Sequence, residues 1–208
     1  MRTPEEEKTI AAYDAIAEEW VRTHDTPDYW AAELDHFQEL LPHGRVLEIG
    51  VGGGRDALQL LARGYQYVGI EPSERLLVIA RERLPTASLL KQDVYTLSFP
   101  EGTLFDGFWA SAVLLHIPRE RIAEALKSIR EWVRPGGVGF ISLKKGGGEY
   151  VGDRSESLAD DKRLLVLYTL DEFRQVLVEN GFGILLAYEK KVSERTTWLV
   201  FFVRNDVA

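Results

Sequence analysis

The stretch VLEIGVGGGRDALQLLARG, residues 46–64, decides the fold of this chain. It joins an apolar run that predicts a buried strand to a turn with four glycines, and then to a run with helical spacing. Glycine lets the backbone turn tightly and approach a ligand because it has no Cβ, and the following helix directs its free N–H groups at the turn. This strand, turn and helix predict an α/β fold with a nucleotide site beside the carboxyl end of the first strand.

Strand and helix patterns alternate along much of the chain. Two helices are predicted before this stretch, at 5–23 and 28–41, and a proline at the first helical position indicates a later helix at 118–133. Further strands are predicted at 65–70, 88–94, 105–114 and 137–145, with a helix at 73–84. The alternation predicts right-handed crossovers and a mainly parallel sheet with helices on both faces.

The C-terminal part has a different pattern. Residues 169–172, TLDE, are typical of a capping box, and they begin a predicted helix that ends at Asn180 and Gly181. The apolar runs 182–191 and 196–205 then predict an antiparallel hairpin. Residues 144–161 form a long irregular segment, and we expect a mobile loop over a site there.

Composition and charge narrow the class of protein. Hydrophobic residues make up 45% of the 208 residues and there is no cysteine, which is ordinary globular usage and excludes disulfides and thiolate metal sites. We find neither a signal-peptide pattern nor an apolar run of about 18 residues. The formal net charge of −8 argues against binding to a phosphate backbone. We therefore expect a soluble, cytoplasmic monomer or homodimer without a membrane or nucleic-acid partner.

A carboxylate lies at the end of each of three neighbouring predicted strands. Glu48 is inside an apolar strand, where a carboxylate is costly unless it is satisfied, and Glu71 and Asp93 end the next two strands. The carboxyl ends of parallel strands share one edge of the sheet, so we expect a polar crevice in which an acid can accept both hydroxyls of a ribose. Other interpretations remain open. The glycine turn also fits the fingerprint of a dinucleotide-binding site at 52–57, or it can simply let a helix pack on the sheet. Glu71 can be an ordinary acidic residue at the start of a helix.

Five blocks of the sequence resemble the class I, Rossmann-like S-adenosylmethionine-dependent methyltransferases of small-molecule type. They are VLEIGVGGGRDA, YVGIEPSERLLVIARERL, KQDVYTLSFP, FDGFWASAVLLHIP and LKSIREWVRPGGVGFISLKKG. The resemblance implies a doubly wound seven-stranded sheet of order 3-2-1-4-5-7-6 with the last strand antiparallel. We expect one domain over residues 1–208, with a helical cap at 1–43, a cofactor-binding core at 44–145, and a loop, helix and hairpin at 146–208.

By this resemblance the cofactor is S-adenosylmethionine and its product is S-adenosylhomocysteine. Glu71 would hold the ribose hydroxyls, and Asp93 would contact the adenine amine beside the backbone of Val94. The residues assigned to the methionine part are Glu48, Gly50, Gly52 and Gly54 of the turn, Ala110 and Ser111 after the fourth strand, Arg55 for the carboxylate, and Tyr13 with Trp20 over the sulfonium. Trp20 can equally be a core residue, and Arg55 can equally be an exposed arginine at the start of a helix.

The reaction implied is in-line transfer of a methyl group to an O, N or C atom of a small-molecule acceptor. Positioning the reactants can supply roughly 7 to 11 kcal/mol, whereas a general base adds about 10²- to 10⁴-fold. His116 in LLHIP is the candidate base, and the alternative is a histidine that caps or packs before Pro118. His24, His36 and His43 lack ligand spacing, so no metal is predicted.

The acceptor is expected to contact the variable parts of the chain. These are Tyr29 and Trp30, the 144–161 segment, and the final hairpin with Arg195 and Trp198. Lys144, Lys145 and Arg154 could bind an anionic acceptor, although solvated loop charge is the more common explanation for such residues.

Two other functions remain open from the residues alone. An NAD(P)-dependent oxidoreductase can use the same glycine turn, although no Tyr-x-x-x-Lys constellation is evident. A non-catalytic nucleoside-binding module would keep the pocket without turnover.

Overall fold

The computed structural model of the chain describes residues 1–152 and 163–207. Within these residues the chain forms nine strands: β1 (Arg45–Ile49), β2 (Gln66–Ile70), β3 (Ser88–Leu90), β4 (Phe105–Ser111), β5 (Val133–Lys144), β6 (Gly148–Val151), β7 (Leu164–Leu167), β8 (Phe182–Lys191) and β9 (Thr197–Asn205). The same residues form six α-helices: α1 (Pro4–His24), α2 (Ala31–Leu40), α3 (Arg55–Ala62), α4 (Glu74–Arg83), α5 (Ile122–Trp132) and α6 (Leu170–Glu179).

Seven of these strands form one sheet, in the order β3-β2-β1-β4-β5-β9-β8. The strands β1 to β5 run parallel, and β9 is antiparallel to both β5 and β8. Counted along the chain within this sheet, the order is 3-2-1-4-5-7-6, so the predicted fold class is confirmed. The parallel arrangement brings the carboxyl ends of β1 to β4 to one edge of the sheet.

Helices cover both faces of the sheet, because each helix presents an apolar stripe to it. On one face the core includes Leu126 and Ile129 of α5 and Phe173 of α6. On the other face it includes Phe37 of α2 and Leu60 of α3, and the apolar side of α4 lies on the same face. The buried strands between these layers read as nearly continuous apolar runs, as expected for a sheet buried on both sides.

The helix starts follow their local sequence signals. Thr169 accepts a hydrogen bond from the backbone of Glu172, whose side chain in turn accepts from the backbone of Thr169, which is the predicted capping box of α6. The Ser73 hydroxyl caps α4 by accepting from the backbone N–H of Leu76 at 3.2 Å. At α4 a tertiary contact adds to the local cap, since Asp14 of α1 accepts from the backbone N–H of Arg75 at 3.0 Å.

Several sequence-based expectations about local structure are wrong. The strands predicted at 88–94 and 105–114 end earlier, at Leu90 and Ser111. The fifth helix begins at Ile122 instead of Pro118, because Arg119–Arg121 form a separate 3₁₀ turn. The irregular segment expected at 144–161 contains a strand, β6, which pairs antiparallel with β7 in a small second sheet. The strand β7 was not predicted because a four-residue buried run shows no alternation. The rest of the expected loop, 153–161, lies outside the described residues.

No helix within 1–152 and 163–207 combines the length and the apolar character needed to cross a membrane.

A buried hydrogen bond joins β4 to the start of α3. The indole Nε1 of Trp109 donates to Oδ2 of Asp56 at 3.0 Å, and the indole ring stacks on Phe140 with 3.7 Å between centroids. The substitution Trp109→Phe retains a stacking ring and removes the donor, so we expect the free energy of unfolding to fall by about 1 to 3 kcal/mol. Denaturant unfolding measures this change. Trp132→Phe, at a partly buried indole, is the matched control, and an equal loss in both variants would contradict the prediction.

Candidate active site

A cavity of about 550 Å³ lies at the carboxyl edge of the parallel strands, between α1 and the turn of the β8–β9 hairpin. Nine predicted site residues line it: Tyr13, Glu48, Gly50, Gly52, Arg55, Glu71, Asp93, Val94 and His116. Gly54, the N-cap residue of α3, and Ala110, which is fully buried in β4, are not among the described lining residues. Ser111, the neighbour of Ala110, does line the cavity. The volume is in the range of small-molecule sites.

The glycine turn has an open backbone on its cavity side. Gly50 and Gly52 have φ angles of +74° and +56°, a region that glycine enters without strain. A Cβ on Gly50 would lie 2.4 Å from Cγ2 of Val113, whereas a Cβ on Gly52 would have no heavy atom within 4 Å. The backbone of Gly52 therefore borders open space that any other residue would begin to fill.

Glu71 follows β2 and is bound to the glycine turn. Its Oε2 accepts a hydrogen bond from the backbone N–H of Gly52 at 2.8 Å, and its Oε1 accepts from that of Ser73 at 2.9 Å. Burial raises the pKa of Glu71 to about 7, although these two hydrogen bonds act in the opposite direction. Each carboxylate oxygen can accept more than one hydrogen bond, so Glu71 can still bind ligand hydroxyls.

Glu48 is satisfied by the neighbouring strand. The Tyr67 hydroxyl of β2 donates to Oε2 of Glu48, a partner that sequence reasoning did not identify. A Cβ on Gly69, which faces Glu48 in the strand register, would lie 2.3 Å from the Tyr67 hydroxyl, so the glycine makes this contact possible. Burial raises the pKa of Glu48 well above its usual range, and the nearby Asp56 carboxylate raises it further.

Asp93 closes a turn after β3 and holds the N-terminal segment. Its Oδ1 accepts from the backbone N–H groups of Tyr95 at 2.8 Å and Thr96 at 3.1 Å. Its Oδ2 forms an ion pair with Arg2 at 3.1 Å, just before α1 begins. Asp93 thus links the site to the N-terminus of α1.

His116 lies between Tyr13 of α1 and the start of β7. Its Nδ1 is 2.6 Å from the backbone oxygen of Leu164, and its Nε2 is 2.9 Å from the Tyr13 hydroxyl. A carbonyl oxygen only accepts hydrogen bonds, so Nδ1 carries a proton, and in the neutral ring Nε2 accepts from Tyr13. Both contacts fit a general base, and they also fit the alternative of a histidine that caps or packs before Pro118.

Arg163 completes this group, and sequence reasoning missed it. It is only 4% exposed, and its Nη1 donates to the Tyr13 hydroxyl at 3.1 Å. The guanidinium also lies over the Trp20 ring, 4.6 Å from the centroid, and Trp20 meets Tyr13 edge-on at 5.2 Å. The sequence signal that could have identified Arg163 is the position of a cationic residue directly before the apolar run of β7.

Aromatic side chains form the opposite side of the cavity. The Trp198 indole Nε1 donates to the Tyr29 hydroxyl at 2.6 Å, and Tyr29 meets Trp30 edge-on at 5.0 Å. Arg55 lies over the Tyr29 ring at 5.2 Å and pairs with Asp56 at 2.6 Å, so it is held in place and is not an exposed helix-start residue.

The predicted acceptor-binding cations have different positions. Lys144 lines the cavity. Lys145 instead pairs with Glu189 at 2.7 Å, and neither Lys145 nor Arg195 is among the described lining residues. Arg154 lies outside the described residues.

The cavity therefore has two chemically different parts. One part offers the Gly52 backbone and the carboxylates of Glu71 and Asp93, which suit the hydroxyls and amine of a nucleoside. The other offers a basic imidazole nitrogen and aromatic walls, which suit a second molecule that loses a proton. Within the described residues, no cluster of three or more His, Asp or Glu side chains could hold a metal ion.

Comparisons with known proteins show which family and which folds the chain resembles. Residues 46–137 match the family described as "Methyltransferase domain". An uncharacterized methyltransferase from Alkaliphilus oremlandii (strain OhILAs) is 27% identical over 143 residues, which cover 62% of this chain and 65% of that protein. The match thus spans somewhat less than two thirds of that relative's length.

Two solved structures share the fold over the whole chain. One is the 1,6-didemethyltoxoflavin-N1-methyltransferase of Burkholderia thailandensis with bound 1,6-didemethyltoxoflavin and S-adenosylhomocysteine. It is 19% identical with a TM-score of 0.77, and the match covers 100% of this chain and 92% of that one. The other is the DhpI complex with S-adenosylhomocysteine, which is 18% identical with a TM-score of 0.77 and full coverage of both chains.

Proposed function

We propose that the chain is a class I S-adenosylmethionine-dependent methyltransferase and that it transfers a methyl group to a small-molecule acceptor by in-line displacement, a proposal supported by the match of residues 46–137 to the methyltransferase-domain family. The observation that carries this proposal is that a single cavity joins the glycine turn and Glu71 to the basic nitrogen of His116. A donor site and a base are thereby available to two molecules bound side by side.

The residues on the acidic side of the cavity suit S-adenosylmethionine. Glu71 would accept the ribose hydroxyls, and the open backbone at Gly52 would pass along the methionine part. Asp93 and Val94 would border the adenine. The cofactor supplies an electrophilic methyl group on a positively charged sulfur, which the surrounding carboxylates complement electrostatically.

The remaining assignments concern the ends of the methionine part. Tyr13, held between His116 and Arg163, would lie over the sulfonium. Arg55 would face the carboxylate, and the backbone at Ala110 and Ser111 would lie near the amine, with Ser111 on the cavity side. Gly50 and Gly54 shape the turn, and Glu48 supports it from β1.

His116 would act as the general base. Its Nε2 receives the acceptor proton, either directly once the Tyr13 hydroxyl swings aside or through that hydroxyl. The Nδ1–H stays bound to the backbone oxygen of Leu164, which stabilises the imidazolium that forms.

Titration calorimetry tests the cofactor. S-adenosylmethionine and S-adenosylhomocysteine should bind with micromolar dissociation constants, whereas NADH and NADPH should give no heat. Heat from the nicotinamides alone would favour an oxidoreductase instead. Turnover is tested by incubating the protein with S-adenosylmethionine labelled at its methyl group and a metabolite extract. Label that never leaves the donor would indicate a non-catalytic binding module.

Binding of S-adenosylhomocysteine should depend on pH through Glu71. The pKa of Glu71 is about 7, and only its ionised form accepts hydrogen bonds from both ribose hydroxyls. The carboxylate is mostly ionised at pH 8 and mostly protonated at pH 6. We therefore expect the dissociation constant to be up to about tenfold higher at pH 6 than at pH 8. Calorimetry at both values measures it. Glu71→Gln should bind with little pH dependence, and an equal slope in that variant would contradict the assignment.

A further inference from the structure

The part of the cavity beyond the proposed cofactor residues contains Lys144, a cation with no carboxylate partner among the described residues. Lys144 ends β5, lines the cavity and is partly buried. With the described residues its side chain forms neither a hydrogen bond nor an ion pair, whereas the side chain of its neighbour Lys145 pairs with Glu189. A lysine ammonium group at a cavity wall attracts a negatively charged ligand.

The strand register places Lys144 beside an aromatic wall. Lys144 faces Trp198 of β9, and Trp198 faces Lys190 of β8, so the three side chains share one face of the sheet. Lys190 is held by Glu33, both of whose carboxylate oxygens it contacts within 2.8 Å. Glu33 is thus committed to Lys190, and the charge of Lys144 is left for a ligand.

The aromatic wall is held rigidly by its own contacts. Trp198 donates to the Tyr29 hydroxyl, and Trp30 packs edge-on against both rings, at 5.0 Å from Tyr29 and 5.9 Å from Trp198. Ser193 and Thr196 of the hairpin turn add hydroxyl groups to the same part of the cavity. Fixed aromatic faces favour a planar ring, which binds them by stacking or edge contacts.

We propose that this part of the cavity, Lys144 with Tyr29 and Trp198, binds an aromatic methyl acceptor that carries a negative charge. The proposal rests on the function proposed above, because it names the class of molecule methylated at that site. The ammonium group of Lys144 pairs with the anionic substituent, and the ring lies against Trp198. A positively charged acceptor is disfavoured by the same ammonium group.

Three probes separate charge from ring character. They are 4-hydroxybenzoate, its neutral methyl ester, and the non-aromatic cyclohexanecarboxylate, each titrated into the full chain with and without saturating S-adenosylhomocysteine. We expect 4-hydroxybenzoate to bind at least about tenfold more tightly than either of the other two probes. The ester loses the charged hydrogen bond, and cyclohexanecarboxylate loses the aromatic ring contact. Equal binding of the acid and its ester, or no binding of the acid, would overturn the proposal.

Lys144→Gln and Lys145→Gln form a matched pair of variants, because the two lysines are adjacent and only Lys144 lines the cavity. Lys144→Gln should remove the preference for the acid over the ester, and Lys145→Gln should retain it. Thermal unfolding of both variants confirms that the fold is intact. A preference that survives in Lys144→Gln would overturn the proposal.

The affinity for S-adenosylhomocysteine distinguishes this proposal from the function on which it rests. We expect Lys144→Gln to leave that affinity unchanged within about twofold. If the variant loses cofactor affinity and keeps its probe preference, Lys144 binds the cofactor carboxylate and the proposal fails while the methyltransferase assignment stands. If wild-type protein binds no S-adenosylhomocysteine, the proposed function fails, and the probe titrations without it still decide whether the anionic aromatic subsite exists.

Discussion

Glu71→Ala is expected to weaken the binding of S-adenosylhomocysteine by tenfold or more. A hydrogen bond to a charged acceptor contributes about 1.5 to 3 kcal/mol, and the carboxylate of Glu71 would accept from the ribose hydroxyls. Its position supports this role, since it is buried at the cavity wall and already held by the backbone of Gly52 and Ser73. Titration calorimetry against wild-type protein measures the change.

A matched control separates this effect from a general change of charge. Glu74 is an exposed acid at the start of α4 that pairs with Lys91, so Glu74→Ala removes the same charge away from the cavity lining. Glu74→Ala should bind S-adenosylhomocysteine like wild type. Because Glu71 also accepts from the Gly52 backbone, Glu71→Gln tests whether the turn or the charge is responsible. Unchanged affinity in Glu71→Ala, with the fold intact, would remove Glu71 from the site.

His116→Gln is expected to lower kcat by about 10²- to 10⁴-fold, the usual contribution of a positioned general base. Glutamine retains a polar side chain but cannot accept and hold a proton, so proton transfer from the acceptor is lost. The loss should appear mainly in kcat, and the affinity for S-adenosylhomocysteine should change much less, because His116 contacts the proposed cofactor residue Tyr13 and not Glu71 or Gly52, which would bind the ribose and the methionine part. Transfer of labelled methyl to the acceptor found in the extract measures it.

His36→Gln provides the control for this substitution. His36 lies on α2, where its Nδ1 is 3.0 Å from Oε2 of Glu39, and it is not among the described lining residues. Its variant should turn over like wild type. A fall of less than about threefold in His116→Gln would mean that positioning alone carries the reaction and that His116 serves packing.

Much of the fold could be predicted because its signals are local. The capping box at Thr169, the cap at Ser73 and the glycine turn each depend on residues within a few positions of one another. Strand and helix alternation then restricts the connections to right-handed crossovers, from which a mainly parallel sheet follows. The sequence did not predict β7, because its four buried residues, 164–167, show no periodicity and its partner β6 lies in a glycine-rich segment.

The candidate site could be predicted only in part. Glu71 directly follows β2, and Asp93 lies three residues beyond the end of β3, so parallel strand order is enough to expect both at one crevice. The pairing of Glu48 with the Tyr67 hydroxyl could not, because it requires the space that Gly69 leaves on the adjacent strand.

The sequence alone determines the α/β class, the glycine turn and the acidic edge of the sheet, because short-range backbone preferences and strand polarity are enough to predict these features. The tertiary structure alone brings Tyr13 within 2.9 Å of His116, 103 positions away, and within 3.1 Å of Arg163, 150 positions away. It alone sets Lys144 beside Trp198. These contacts depend on how α1, β7 and the final hairpin pack over the sheet, and packing is decided by shape and burial across the whole molecule instead of by neighbours in the chain.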